Sequence, residues 1–171
     1  DLGTKSTIAD LRWLRQCGLE AAIHKAADAG TLVFGVCGGY QMLGRTVSDP
    51  EQVEAAGTTE ILGMGLLEMD TIFLGEKVQA QTTGVFAGIS GVLSDLNGMS
   101  YSGYEIHMGR SEEEMPALAG TGNVYGSYVH GIFDASGISD TVLKAICVKK
   151  GIDFDALETF DISEYKEHQY D

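Results

Sequence analysis

The chain is poor in cysteine, holding only Cys17, Cys37 and Cys147 in 171 residues. An odd number at such wide spacing makes no disulfide framework, and a reducing, cytoplasmic setting is expected. No Cys-x-x-Cys or His-x-x-x-His pair occurs, so the short spacings typical of zinc ligands are missing and no metal is expected. Positive charge is also scarce, with 11 lysines and arginines against 25 carboxylates and a formal charge of −14. Without a basic patch, nucleic-acid binding is not expected. No apolar run is long enough to span a bilayer and no charged-then-apolar signal segment opens the sequence, so no membrane role is expected. A phosphate loop of the G-x-x-x-x-G-K-[ST] type is missing too. Gly3-Thr4-Lys5-Ser6-Thr7 shares only the end of that pattern, with Thr4 inserted, and reads as a loop whose N–H groups open a helix.

What is present is concentrated in Thr31 to Gly44, TLVFGVCGGYQMLG. An apolar, β-branched run leads into Gly35-Val36-Cys37-Gly38-Gly39 and then a segment able to be helical. This is the order of a nucleophile elbow: strand, sharp turn bearing the reactive group, helix. Glycines suit the turn because a Cβ would clash where backbones come close. A cysteine there is expected to point its sulfur outward, and the helix N-terminus is expected to favour its thiolate. The competing reading is a buried, inert cysteine closing a core strand.

Length and a hydrophobic content of 44% suit one globular domain over residues 1–171. Residues 152–171 form an acidic tail or helix, with seven carboxylates from Asp153 onward and one lysine, Lys166. A solvated surface is the simple reading, and a docking face for a basic partner domain the alternative. Ser6 or Thr7 is predicted to cap a helix to Cys17 that buries Ile8, Leu11 and Leu14. A second helix, Leu19 to Ala29, is predicted to bury Leu19, Ala22, Ile23 and Ala26. The strand Thr31–Val36, the elbow helix closed by Gly44, and a polar loop from Asp49-Pro50-Glu51 follow. Short strands broken by glycines are predicted at Leu66-Leu67, Thr71–Phe73, Val78 and Val85-Phe86, then at Gly103–Met108 and Val124–Val129. A serine-capped helix, Ser139–Lys150, is predicted to turn Val142, Leu143, Ile146 and Cys147 inward. This order predicts an α/β fold of three layers, a mostly parallel sheet flanked by helices.

A cysteine nucleophile needs a base, and histidine is the usual one. His24 lies mid-helix and His168 in the acidic segment, and both read as surface residues. His130 ends a predicted strand before Gly131, 93 residues from Cys37. Both would lie at the carboxyl ends of strands, where active sites of open α/β sheets collect. His107, ending another strand, is the runner-up and could line the pocket instead.

Cys37-Gly38-Gly39-Tyr40-Gln41-Met42-Leu43-Gly44 resembles the nucleophile motif of class I glutamine amidotransferases, whose fold is flavodoxin-like. Gly3-Thr4-Lys5-Ser6-Thr7 with Asp10-Leu11, Trp13-Leu14 and Gly18-Leu19 resembles the corrinoid-biosynthesis branch, in particular the C-terminal domain of the cobyric acid synthase family. Gly103-Tyr104-Glu105-Ile106-His107-Met108-Gly109 and Tyr128-Val129-His130-Gly131-Ile132-Phe133-Asp134 resemble its two later motifs. The resemblance implies a glutaminase: Cys37 attacks the side-chain amide of glutamine, and His130 relays the protons. It implies oxyanion donors at the Gly38 amide and in the Gly3-Thr4 loop. Gln41 would help hold glutamine, with Tyr104, Glu105 and His107 in the pocket.

The ammonia would amidate carboxylates of adenosylcobyrinic acid a,c-diamide, a corrinoid, on an N-terminal synthetase domain using ATP and magnesium. No cofactor is expected on the present chain. The family carries a proline and strands ahead of Gly3, so the chain resembles a C-terminal piece lacking its N-terminal strands. Ile132 stands where many class I enzymes carry a glutamate, and the resemblance implies that the corrinoid branch lacks that glutamate. A third triad member would come from Asp134, Glu105 or the other domain, or be missing. The rival readings are an amidotransferase serving another ATP-dependent ligase, a cysteine hydrolase of another amide or ester, and a catalytically silent interaction module.

Overall fold

A computed structural model describes residues 6–57, 59–111 and 116–156. Helix α1 spans Thr7–Gln16 and buries Ile8, Leu11 and Leu14, as their spacing predicts. Helix α2 spans Leu19–Asp28, but its buried residue is Ala27, while Leu19 is 45% exposed and Ala22 also faces solvent. The inward stripe is therefore rotated from the one predicted, with Ile23 packing beside Ala27 against the same cluster.

Strand β1 (Val33–Val36) leads into Cys37 and helix α3 (Gly38–Leu43), with Gly44 after its last residue. Strands β2 (Thr46–Ser48), β3 (Glu60–Leu62) and β4 (Asp70–Val85) follow. Then come β5 (Ser100–Ser111), β6 (Ala119–Thr121), β7 (Val124–Ser127), β8 (Val129–His130) and helix α4 (Ile138–Lys150). The predicted glycine breaks after Asp70 do not occur. β4 runs through Gly75 and Gly84 as one strand, paired antiparallel to β5 with a register shift between Ile72 and Lys77. At Gly84, paired with Tyr101, cross-strand pairing along β5 outweighs the weak strand preference of glycine, whereas Gly75 falls within the register shift. Leu66-Leu67 forms no strand; both N–H groups donate to the Leu43 carbonyl at 2.9 Å.

Two sheets result, ordered β1-β7-β6 and β3-β2-β4-β5-β8. β1–β7 and β2–β4 are parallel; the other described pairings, β2–β3, β4–β5, β5–β8 and β6–β7, are antiparallel. The fold is α/β as predicted, but its sheets are mixed rather than mostly parallel. The layered expectation holds around the first sheet. Val33 and Val124 face a cluster with Leu11, Leu14, Ala27 and Tyr40, from α1, α2 and α3. Phe34 and Tyr125, one residue on, face the opposite cluster with Leu93, Ile138 and Val142. Successive side chains of β1 and β7 thus enter two cores, which locks both strands.

Two end signals differ from the sequence reading. Gly137, not serine, stands at the N-cap of α4 with a left-handed backbone (φ 82°), and the Ser139 hydroxyl donates to the Phe133 carbonyl. Leu143 is 48% exposed, whereas Cys147 is buried as predicted and Ile138 with it.

The start of α1 is fixed from a distant loop. The Ser6 hydroxyl is 3.4 Å from the Ala9 N–H, a long cap, whereas the Glu54 carboxylate accepts from the Thr7 and Ile8 N–H groups at 2.7 and 2.8 Å. Glu54 is held by Asp49, fully buried, whose carboxylate accepts from the N–H groups of Val53, Glu54 and Ala55. Burial pushes the Asp49 pKa up, but those three N–H groups outweigh it and hold it below the usual carboxylate value. A depressed folded-state pKa means the stabilisation is present above the unfolded value and lost as pH falls through the folded one. Asp49→Asn is expected to cost about 2–3 kcal/mol at pH 7, because orphaned N–H groups remain buried. In urea titrations the gap to the parent chain should narrow below about pH 4, where the parent carboxyl begins to protonate.

Candidate active site

Cys37 has φ 53° and ψ −114°, a left-handed region that a side chain with a Cβ occupies at a cost of about 1–3 kcal/mol. Its N–H donates to the Ser127 carbonyl at 2.9 Å and its carbonyl accepts from the Gln41 N–H at 3.0 Å, so strand and helix over-determine the bend. Gly35 allows the closeness, since a Cβ there would lie 2.7 Å from the Gly39 carbonyl group. The sharp elbow expected from the sequence is therefore present.

The thiol itself differs from the expectation. It is half-buried, and Sγ donates to the Ile106 carbonyl of β5 at 3.4 Å. Burial pushes the thiol pKa up, and the opposing pull of the Gly38 N–H is smaller. The resting group is the thiol, because desolvation outweighs what one turn of α3 supplies. Cys37 is therefore expected to alkylate more slowly than exposed Cys17 at pH 7, with a rate still climbing above the ordinary thiol value of about 8.5. Peptide-resolved iodoacetamide rates check this, and fast reaction of Cys37 at pH 6 would contradict it.

His130 reaches the same strand from the other side of the chain. Val36 of β1 pairs with Ser127 of β7, and three residues later His130 pairs with Tyr104 of β5. The Ser127 hydroxyl accepts from the Val129 N–H and so shapes the step from β7 to β8. Gly103 lets β8 approach, because a Cβ there would lie 2.2 Å from the His130 carbonyl oxygen. The His130 ring stacks on that of Tyr104, centroids 5.2 Å apart and planes 6° apart. Its Nε2 is buried with no hydrogen-bond partner among the described residues. Tyr104 and Ile106 are two positions apart on β5, about 7 Å. The thiol and the imidazole are thus attached to neighbouring points of one strand, although Sγ bonds Ile106 rather than His130.

The other sequence candidates divide. The Gly38 amide opens α3 beside Sγ, a donor with no carbonyl four residues back to bond within the helix. Gln41 is buried and engaged: Oε1 accepts from the Thr7 hydroxyl at 3.0 Å, and Nε2 donates to the Met108 carbonyl at 2.9 Å. It ties α1, α3 and β5 together and retains one donor and one lone pair for anything else. Glu105 and His107 form a pair, Oε2 to Nε2 3.6 Å, and the His107 ring stacks on Tyr128 at 3.9 Å. Tyr128 in turn meets Tyr40 edge-on at 5.0 Å. No aspartate or glutamate among the described residues lies within ion-pair distance of His130. Ile132 is buried in the second core. Gly3 and its loop, His168 and most of the acidic segment lie outside the described residues.

Comparison with known proteins adds family to geometry. Residues 2–138 match the model of the CobB/CobQ-like glutamine amidotransferase domain. The chain belongs to that family. The cobyric acid synthase of Lachnoclostridium phytofermentans is 45% identical over 99% of this chain and 37% of its own length. That of Ruminiclostridium cellulolyticum is 41% identical over 98% of this chain and 36% of its own. The chain therefore spans just over a third of the length of these curated relatives. A solved glutamine amidotransferase aligns with TM-score 0.48 and 16% identity, covering 83% of this chain and 73% of the other.

Within this amidotransferase domain, sequence reasoning missed Thr7, Asp49, Glu54, Ile106 and Met108. Ile106 and Met108 act through carbonyls, which no side-chain motif records. Asp49 left one usable signal: an aspartate opening a Pro-containing loop is a common organiser of nearby N–H groups.

Proposed function

We propose that this domain hydrolyses glutamine to glutamate and ammonia through Cys37 and His130. The observation that carries the reading is the strained elbow cysteine and the unengaged His130 Nε2 sharing strand β5. Because the resting sulfur is a thiol, attack is coupled to proton removal. In this reading Sγ leaves the Ile106 carbonyl for His130 when substrate binds, the kind of tightening that substrate brings to a resting site. Sγ bonds to the amide carbon of glutamine while His130 takes the thiol proton. The tetrahedral oxyanion faces the Gly38 N–H. Collapse expels ammonia, which leaves with the proton from His130, and a γ-glutamyl thioester remains. His130 then deprotonates water, which attacks the thioester, and the proton returns to sulfur as glutamate departs.

The relatives named cobyric acid synthase support a finer reading. In it the ammonia amidates carboxylates of adenosylcobyrinic acid a,c-diamide on a synthetase domain that holds ATP and magnesium, in the cytoplasm. Incubation with glutamine is expected to give glutamate and ammonia in equal amounts. Adding an ATP-dependent corrinoid amidase stripped of its own glutaminase should turn that ammonia into amidated corrinoid. Hydrolysis of other amides or esters with none of glutamine would overturn the first reading. Glutamine hydrolysis that never supports corrinoid amidation would overturn only the second.

A further inference from the structure

We propose that Tyr104 positions the His130 imidazole, in the role a carboxylate fills in a triad. The inference rests on His130 being the base of the glutaminase reaction. A triad carboxylate orients the imidazole and stabilises the imidazolium that forms. No described carboxylate is within ion-pair distance of His130, and Glu105, one residue from Tyr104, is paired with His107 instead. What His130 has is a ring. Tyr104 is its direct cross-strand partner, and the two planes are within 6° of parallel.

Such a stack limits ring tilt about χ2, and the face of a tyrosine attracts a cation placed over it. The backbone beneath the stack is equally constrained: Glu105 pairs with Val129, and Gly103 admits the His130 carbonyl where a Cβ would not fit. With the ring held by its face, no described carboxylate lies within ion-pair distance of it, and Nε2 is left for the thiol proton. Tyr104 is 48% exposed, so core burial is not what holds its ring against His130. The ring is the acting part, so phenylalanine should serve and leucine should not.

The test compares the parent chain with Tyr104→Leu and Tyr104→Phe, each checked for an unchanged melting temperature. Tyr104→Leu is expected to lower kcat for glutamine ten- to a hundredfold, as misplacement of a reacting group does, with KM within about twofold. Tyr104→Phe should recover most of that loss. A raised KM at full kcat would make Tyr104 a substrate contact and overturn the proposal, as would equal kcat in all three chains. A second measurement does not need turnover. The His130 ring protons in NMR spectra should move downfield in Tyr104→Leu, where the shielding ring is gone, and stay in place in Tyr104→Phe. Identical ring-proton positions in all three chains would overturn the proposal. A parent chain without turnover would instead remove the glutaminase reading, while these shifts still report whether Tyr104 holds the imidazole.

Discussion

Cys37→Ser is expected to leave no measurable glutamine turnover, a loss of about 10⁴-fold or more, as for nucleophiles removed elsewhere. The change exchanges one atom and leaves the elbow in place, so melting should barely move. The loss follows from the chemistry around the atom. A hydroxyl is far less acidic than a thiol, and burial already disfavours the anion at this position. The proposed base, His130, has no carboxylate among the described residues within ion-pair distance to strengthen it. His130→Ala removes the proton relay and should cost about 10²- to 10⁴-fold in kcat. His107→Ala should cost less, because His107 is engaged with Glu105 and stacked on Tyr128. If His107→Ala proves the more damaging, the base has been assigned to the wrong histidine. The double variant of Cys37 and His130 should be no worse than Cys37→Ser, since both act in one step. Steady-state kinetics with ammonia detection reads all four chains.

Gly126→Ala should be strongly destabilising. A Cβ at Gly126 would lie 1.9 Å from Cδ2 of Tyr40 and 2.5 Å from its Cγ. Tyr40 is fully buried and wedged against Tyr128, so its ring has nowhere to retreat. Overpacking of this kind costs about 3 kcal/mol or more. In a domain of this size that corresponds to a fall in Tm on the order of 10 °C. Tyr40 stands three residues after Cys37 on α3, so the strain should also reach the elbow and lower turnover. Tyr40→Leu in the same chain should recover part of the lost stability, and a coupling energy near zero between the two changes would refute the contact.

Much of the fold was legible because it rests on short-range rules. The stripe Ile8, Leu11, Leu14 gave α1, and the run into Cys37 followed by glycines gave the elbow. What escaped depends on partners far away in sequence. Glycines at positions 75 and 84 read as breaks, yet β4 continues through both, Gly84 paired with Tyr101 of β5 and Gly75 within the register shift between Ile72 and Lys77. Leu143 and Leu19 sit where a helical stripe suggests burial, but neither meets a covering layer. The site divides in the same way. Cys37 and His130 were marked by their neighbours along the chain. The direction of the Cys37 pKa was not, because desolvation is a property of the assembled fold and overrode the local helix terminus. Gln41 was singled out as a glutamine-holding residue, and its bonds to Thr7 and Met108 could only be seen once α1 and β5 were in place.

The most direct test of the central claim is covalent. A diazoketone analogue of glutamine, which alkylates only a nucleophile poised at the amide carbon, is incubated with the chain and the modified peptides are mapped by mass spectrometry. The expected result is one adduct, on Cys37, lost in His130→Ala and blocked by excess glutamine. Adducts on Cys17 or Cys147 as readily as on Cys37, or labelling of Cys37 indifferent to both His130 and glutamine, would contradict it.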